Sequence, residues 1–310
     1  MLDSVTLRVG LVGAGPWAGM FHAPMLAAGP ATSLAGVWAR RPEAAEELAA
    51  SYGAQHAASY DDLLAVCDAV AFAVPPPVQA HLAPRAARAG KHLLLEKPLA
   101  FTLEDAEAIA AAIDAAGVQS LLMLRNRFTA EGRAFVARAR EGTAIGAVAT
   151  FVSGAALPGN PFATPWRVEL GAMFDLAPHA IDLLDAALGP VVGITAVGDP
   201  LRWLGVTLEH RGGAVSQVAL SITAPGDPGP FRIEARTEHG PVTFDGRASD
   251  DDPDVQEAIT TAFAEAIASG TAHPLDVHRG VFLQRWMSEA LAGLPARDPL
   301  TRGPIARGDS

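Results

Sequence analysis

The chain has 310 residues, half of them hydrophobic and 18% charged, with a formal net charge of -11. That length suggests about two globular domains, and so acidic a surface repels phosphate backbones and anionic lipid, which excludes nucleic acid and membrane surfaces as partners. One cysteine rules out an intrachain disulfide, and Cys67, just before the apolar run Ala69–Val74, reads as core packing. No apolar stretch approaches the roughly 20 residues of a membrane span. The acidic start and early glycines do not read as a signal peptide, so cytoplasm is the expected location.

Through residue 124 two kinds of segment alternate. β-rich runs at Leu7–Val12, Leu34–Ala39, Ala69–Val74, His92–Leu95 and Ser120–Leu124 are separated by helical stretches at Pro42–Ser51, Tyr60–Val66, Val78–Ala89 and Leu103–Ala116. Gly90 and Gly117 follow two of the helices as C-terminal caps, and Thr102 with Asp105 reads as an N-cap and first-turn acid. Strict alternation predicts a parallel, doubly wound sheet with right-handed crossovers. After residue 125 the pattern changes. A helix over Thr129–Arg140 leads to a strand near Ala147–Ala156, a loop from Leu157 to Gly171 and a helix over Pro178–Leu188. β-type runs then follow without helices between them, at Val191–Val197, Leu201–Glu209, Ala214–Ile222, Phe231–Thr237 and Pro241–Phe244, before two closing helices at Val255–Ser269 and Leu275–Ala292. This predicts an α+β domain with a mainly antiparallel open sheet over 125–294, and a flexible tail over 295–310.

The first strand ends in Gly13-Ala14-Gly15-Pro16-Trp17-Ala18. In G-x-G-x-x-A the first glycine makes a tight turn, the second lets a pyrophosphate approach the backbone, and the small third residue packs helix on strand. Following the first strand of an alternating half, the pattern predicts a dinucleotide-binding Rossmann domain over 1–124. An NAD site places a carboxylate near the end of the second strand. Here Val37-Trp38-Ala39-Arg40-Arg41 stands there, with no acid before Glu43. Arginines there can pair with a 2′-phosphate, which favours NADP over NAD; the alternative is a solvated arginine pair opening the next helix.

Glu96-Lys97-Pro98 follows the strand His92–Leu95, at the strand end where such sheets bind ligands. Proline holds a fixed turn, with a cis bond as one form it can take, and so presents Lys97 rigidly, either to stabilise a developing alkoxide or to form a surface pair with Glu96. Further on, Asp175, His179 and Asp182 punctuate an otherwise apolar segment. Pro178 belongs in a helix's first turn, placing Asp175 just before the helix and His179 in its opening turn. Such a pair fits a general base with a fixed tautomer, or equally a capped helix with a core histidine. No metal-binding set is expected.

Together these residues resemble the glucose–fructose oxidoreductase / inositol dehydrogenase (Gfo/Idh/MocA) family. The likeness runs from Gly13-x-Gly15-x-x-Ala18 and His22-Ala-Pro24 through Val74-Pro75, Gly90-Lys91-His92 and Glu96-Lys97-Pro98-Leu99. It continues to Arg127-Phe128, Trp166-Arg167 and Asp175-x-x-x-His179-x-x-Asp182. The resemblance implies hydride transfer between a nicotinamide and a sugar, inositol or related polyol or keto compound. Lys97 would polarise the reacting oxygen, His179 would exchange its proton, and Asp175 would orient the substrate or that histidine. Gly13, Gly15, Pro16, Trp17, Ala18, Arg40, Arg41, Val74, Pro75, His81, Glu96 and Lys97 are expected at the cofactor, and Lys97, Arg125, Trp166, Arg167, Asp175 and His179 at the substrate. A homodimer or homotetramer built on the open sheet is also implied. Ala177-Pro178 stands where the family usually has glycine before the histidine, which reshapes the substrate loop. Alternatives of the same fold are a non-catalytic NAD(P)-binding regulator and a cofactor-recycling glycosidase or epimerase.

Overall fold

The computed structural model describes residues 6–227, 229–246 and 252–294, so the tail expected over 295–310 lies outside the described residues. The described residues fall into two compact units, with the chain passing between them after residue 129, before residue 248 and after residue 284. It thus returns to its first unit late, a return that no local signal in the sequence announces.

The first unit contains β1 (Leu7–Val12), a one-turn π segment (Ala18–His22), α1 (Ala23–Ala27), β2 (Thr32–Trp38), α2 (Pro42–Ser51), β3 (Gln55–His56) and α3 (Tyr60–Val66). Next come β4 (Ala69–Phe72), α4 (Pro76–Arg88), β5 (His92–Leu95), α5 (Leu103–Ala116) and β6 (Ser120–Leu122). The six strands pair in parallel in the order β3-β2-β1-β4-β5-β6. This is the doubly wound order, with its crevice between β1 and β4 where the connections change direction. β4 and Leu93–Leu95 are wholly buried, as expected of strands covered on both faces. Thr102 caps α5 through the Asp105 amide, as its sequence predicts. Two-residue β3 is too short to read from periodicity. Cys67 is buried at the end of α3.

The second unit holds α6 (Ala130–Arg140), β7 (Ala144–Val152), α7 (Pro165–Leu170), α8 (Ala172–Asp175) and α9 (Ala177–Leu188). β8 (Val191–Asp199), β9 (Trp203–His210), β10 (Val215–Ser221), β11 (Phe231–Thr237) and β12 (Gly240–Gly246) follow. The sheet order is β12-β11-β7-β10-β9-β8. Every pairing is antiparallel except β7 with β10. α6, α8 and α9 pack on one face. The strands accordingly alternate: Leu204, Val206, Leu208, Val218, Leu220, Ile233 and Ala235 are buried, while Val148, Val197, Trp203 and Val215 of the opposite face are exposed. One expectation needs correction. The stretch from Leu157 to Gly171 is not all loop, because Pro165 at a first helical position starts α7. α10 (Pro253–Ser269) packs on α1, β2 and β6 within the first unit, and α11 (Val277–Ala292) closes the described chain. Among the described residues no helix is long and apolar enough to cross a membrane.

Candidate active-site residues in the two units

In the first unit a cleft of about 280 Å³ is walled by Val12, Gly13, Ala14 and Gly15, by Trp38, Ala39, Arg40 and Arg41, and by Ala73, Val74, Pro75 and Val78. It lies beyond the carboxyl ends of β1, β2 and β4, the position the strand order dictates. Gly13 sits at φ +118°, and a Cβ there would lie 2.4 Å from the Ala73 carbonyl oxygen, so only glycine lets β1 turn so close to β4. A Cβ on Gly15 would meet nothing within 4 Å: it would project into open space beside the cleft. Arg40 and Arg41 are exposed, and among the described residues no carboxylate lines the cleft. Pro16, Ala18 and His81 do not line it; Ala18 is buried and His81 lies on the exposed side of α4.

The Glu96-Lys97-Pro98 turn is clamped from within. Gln79, fully buried on α4, accepts from the Glu96 amide (2.8 Å) and donates to the carbonyls of Glu96 and Leu99 (2.9 Å each). One amide side chain thereby satisfies backbone groups on both sides of the cis Lys97–Pro98 bond. Sequence alone gives Gln79 no such role: between Val78 and the apolar Leu82-Ala83 it shares the stretch with a second polar residue, His81. The Glu96 carboxylate is itself buried. Burial pushes its acidity toward the neutral acid, but hydrogen bonding and charge from His22, the nearby Lys97 charge and the Trp17 hydrogen bond prevail, holding the group below its ordinary value. Trp17 Nε1–H donates to Glu96 Oε1 at 2.7 Å, and His22 Nε2 lies 2.7 Å from that same oxygen. From Leu93 to Ala100 every residue is buried except Lys97. Arg125 lies just past β6, half-buried in a 3-10 turn.

In the second unit Gly171 (φ +80°) joins α7 to α8; a Cβ there would lie 2.2 Å from the Pro200 carbonyl oxygen, and the Ala172 amide donates to that oxygen. α8 ends at Asp175, Leu176 makes the junction, and Pro178 enters the first turn of α9, so His179 stands in that opening turn as its spacing predicts. Arg167 Nε donates to Asp175 Oδ2 at 2.9 Å, with the carboxylate side chain 6% exposed. The same guanidinium lies 4.5 Å over the Trp166 ring and donates to the Phe162 carbonyl. The structure thus joins Trp166, Arg167 and Asp175, while the sequence could only list them. From Gly171 to Leu184 every residue is buried except His179.

A parallel sheet in the doubly wound order, with a glycine-lined cleft at its switch point and a second unit built on a mixed sheet, defines a two-unit protein of the dinucleotide-binding class. The chain belongs to the Gfo/Idh/MocA family of oxidoreductases: residues 7–124 match its NAD-binding Rossmann-fold domain and residues 134–243 match a Gfo/Idh/MocA C-terminal domain. It is 32% identical over 233 residues to dTDP-3,4-didehydro-2,6-dideoxy-alpha-D-glucose 3-reductase of Streptomyces violaceoruber, a match covering 72% of this chain and 64% of that protein. It is 29% identical over 248 residues to UDP-N-acetylglucosamine 3-dehydrogenase of Acidithiobacillus ferrooxidans, covering 77% and 75%. The fold is shared with a myo-inositol dehydrogenase from Corynebacterium glutamicum at TM-score 0.80 and 22% identity, over 94% of this chain and 97% of that one.

Proposed function

We propose that this chain is a cytoplasmic NADP-preferring dehydrogenase or reductase that interconverts a secondary alcohol and a ketone on a sugar, inositol or related polyol. The observation that carries the proposal is the shared pattern of exposure. Within Leu93–Ala100 only Lys97 escapes burial, and within Gly171–Leu184 only His179 does. A titratable group that alone reaches solvent from an otherwise buried run, once in each unit, is the arrangement a proton-transfer set requires.

The residues present fit a dinucleotide. The open space at Gly15 leaves room for phosphate oxygens against backbone amides. Arg40 and Arg41, with no carboxylate beside them in the cleft wall, suit a 2′-phosphate. When bound, the nicotinamide supplies or accepts the hydride. The chain's own work is then positional and protonic. Gln79 and Glu96 hold the backbone of Lys97, whose ammonium donates to the reacting oxygen and stabilises negative charge on it. His179 exchanges the oxygen's proton, and Asp175, held by Arg167, orients the substrate hydroxyls or that histidine. Arg125 and Trp166 complete the substrate-binding set. The two relatives named above act, by their names, at position 3 of nucleotide-linked sugars, which supports a ring carbon as the reacting centre.

The uncovered sheet face, with Val148, Val197, Trp203 and Val215 exposed, supports assembly into a homodimer or homotetramer through that face.

The test is fluorescence titration with NADPH and NADH, followed by a screen of sugars, inositols and keto-sugars monitored by nicotinamide absorbance. Tighter NADPH binding, with turnover abolished in Lys97→Met and His179→Ala but cofactor affinity retained, supports the reading. Equal affinities overturn the NADP preference, full activity in either variant removes that residue from the mechanism, and turnover without net absorbance change favours a cofactor-recycling glycosidase or epimerase.

A further inference from the structure

We propose that Glu96 is a positioning residue that couples the dinucleotide loop to Lys97. Both carboxylate oxygens are committed. Oε1 accepts from Trp17 Nε1–H and stands against His22 Nε2, and Oε2 accepts from the Lys97 amide at 3.1 Å. A carboxylate oxygen can only accept, so the proton of the His22 bond lies on Nε2. His22 is fully buried, and its Nδ1 has no hydrogen-bond partner among the described residues. Among the described residues the imidazole's one hydrogen bond is therefore the one to Glu96.

Trp17 and His22 are five residues apart. On an α-helix, positions i and i+5 diverge by roughly 140°. Here the segment Ala18–His22 is a π turn, closed by the Ala23 amide donating to the Ala18 carbonyl. A π turn bonds i to i+5 and so takes in one residue more than an α turn, which swings His22 back toward the side of Trp17, and single π turns concentrate at functional sites. Phe21 stacks on the Trp17 ring at 4.8 Å and keeps the indole in place. The irregular turn thus has a structural result: it lets the segment directly after Gly13-x-Gly15 grip the residue directly before Lys97, 79 positions further along the chain. A displacement of the loop by a bound dinucleotide is carried to the Lys97 backbone through one carboxylate.

This inference rests on the reading that the glycine loop binds NAD(P) and that Lys97 acts on the substrate, so its test has a readout separate from activity. Hydrogen exchange is measured on the peptides spanning 13–22 and 92–99, with and without NADPH, in the wild type, Glu96→Gln, Trp17→Phe and the double variant. In the wild type, NADPH slows exchange in both peptides. A glutamine at 96 has one acceptor oxygen, so one side of the link must break, and NADPH then slows exchange in 13–22 alone. With substrate, kcat falls about 10–100-fold, the equivalent of one charge-assisted hydrogen bond, while KM changes less than about threefold. The double variant loses no more than Glu96→Gln, since both changes break the same link. Trp17→Phe removes only the indole donor and carries the test if Glu96→Gln does not fold. Retained protection of 92–99 in the variants, or losses that multiply, overturns the coupling. A wild type that binds neither NADPH nor NADH overturns the proposed function instead, and turnover surviving in Lys97→Met removes the substrate end of the link.

Discussion

Two glycines two residues apart make opposite predictions from the same substitution. At Gly13, alanine must adopt φ +118° and place its methyl 2.4 Å from the Ala73 carbonyl oxygen and 3.1 Å from Val74 Cγ1. The left-handed backbone costs about 1–2 kcal/mol and the forced overlap about 1–3 kcal/mol, so Gly13→Ala should lose about 2–5 kcal/mol of stability by those two terms together. At Gly15 the same methyl meets nothing within 4 Å. Gly15→Ala should therefore cost less than about 1 kcal/mol in stability, mainly through a poorer helix start. Its methyl instead occupies space that phosphate oxygens need, so NADPH affinity should fall about tenfold or more, the worth of one lost charge-assisted bond. Urea unfolding followed by circular dichroism measures the first effect, and calorimetric titration of NADPH the second. A Gly15→Ala protein that binds NADPH like the wild type, or a Gly13→Ala protein of unchanged stability, refutes the reasoning.

Replacing both Arg40 and Arg41 with alanine should weaken NADPH binding about tenfold or more while leaving NADH nearly unaffected, because only the 2′-phosphate loses its partners; the ratio of the two dissociation constants is the readout. Arg167→Leu takes the guanidinium partner from the buried Asp175 carboxylate and removes the stack on Trp166, so unfolding free energy should fall by about 2–4 kcal/mol; adding Asp175→Asn should recover part of it, and equal losses in both proteins would contradict the pairing. Glu96, whose folded pKa is held below the ordinary value of 4.5, contributes stability above that value and loses it as pH falls through its folded range; that part of the acid limb should vanish in Glu96→Gln. If the sheet face is an interface, Val197→Asp, at a residue 74% exposed, should lower the sedimentation mass of the assembly, and an unchanged mass would point to another face.

Much of the first unit was readable in advance because its signals are local. Strand–helix alternation, the Thr102 cap and the Gly13/Gly15 turn each depend on residues within one or two turns, where backbone sterics and short-range hydrogen bonds dominate. The placement of His179 behind Pro178 was readable for the same reason. Helix α7 was not, because Pro165 sits in a Pro- and Gly-rich stretch whose composition suggests a loop. The Glu96 network was also out of reach: Trp17, His22 and Gln79 meet that residue across 79, 74 and 17 positions, and nothing in the spacing says so.

The amino-acid order by itself determined the class of each half, the glycine loop, the absent acid after the second strand, and which ionisable side chains lie at the strand end and in the opening turn of α9. Tertiary structure decided which of those side chains are held and by what: a buried amide fixes the lysine turn, an arginine takes one oxygen of Asp175, and a π turn aims two aromatic donors at one carboxylate. The division has a physical origin. Propensity and capping act over a few residues, whereas a buried charge needs several partners at once, and chain topology alone selects which distant residues arrive to satisfy it.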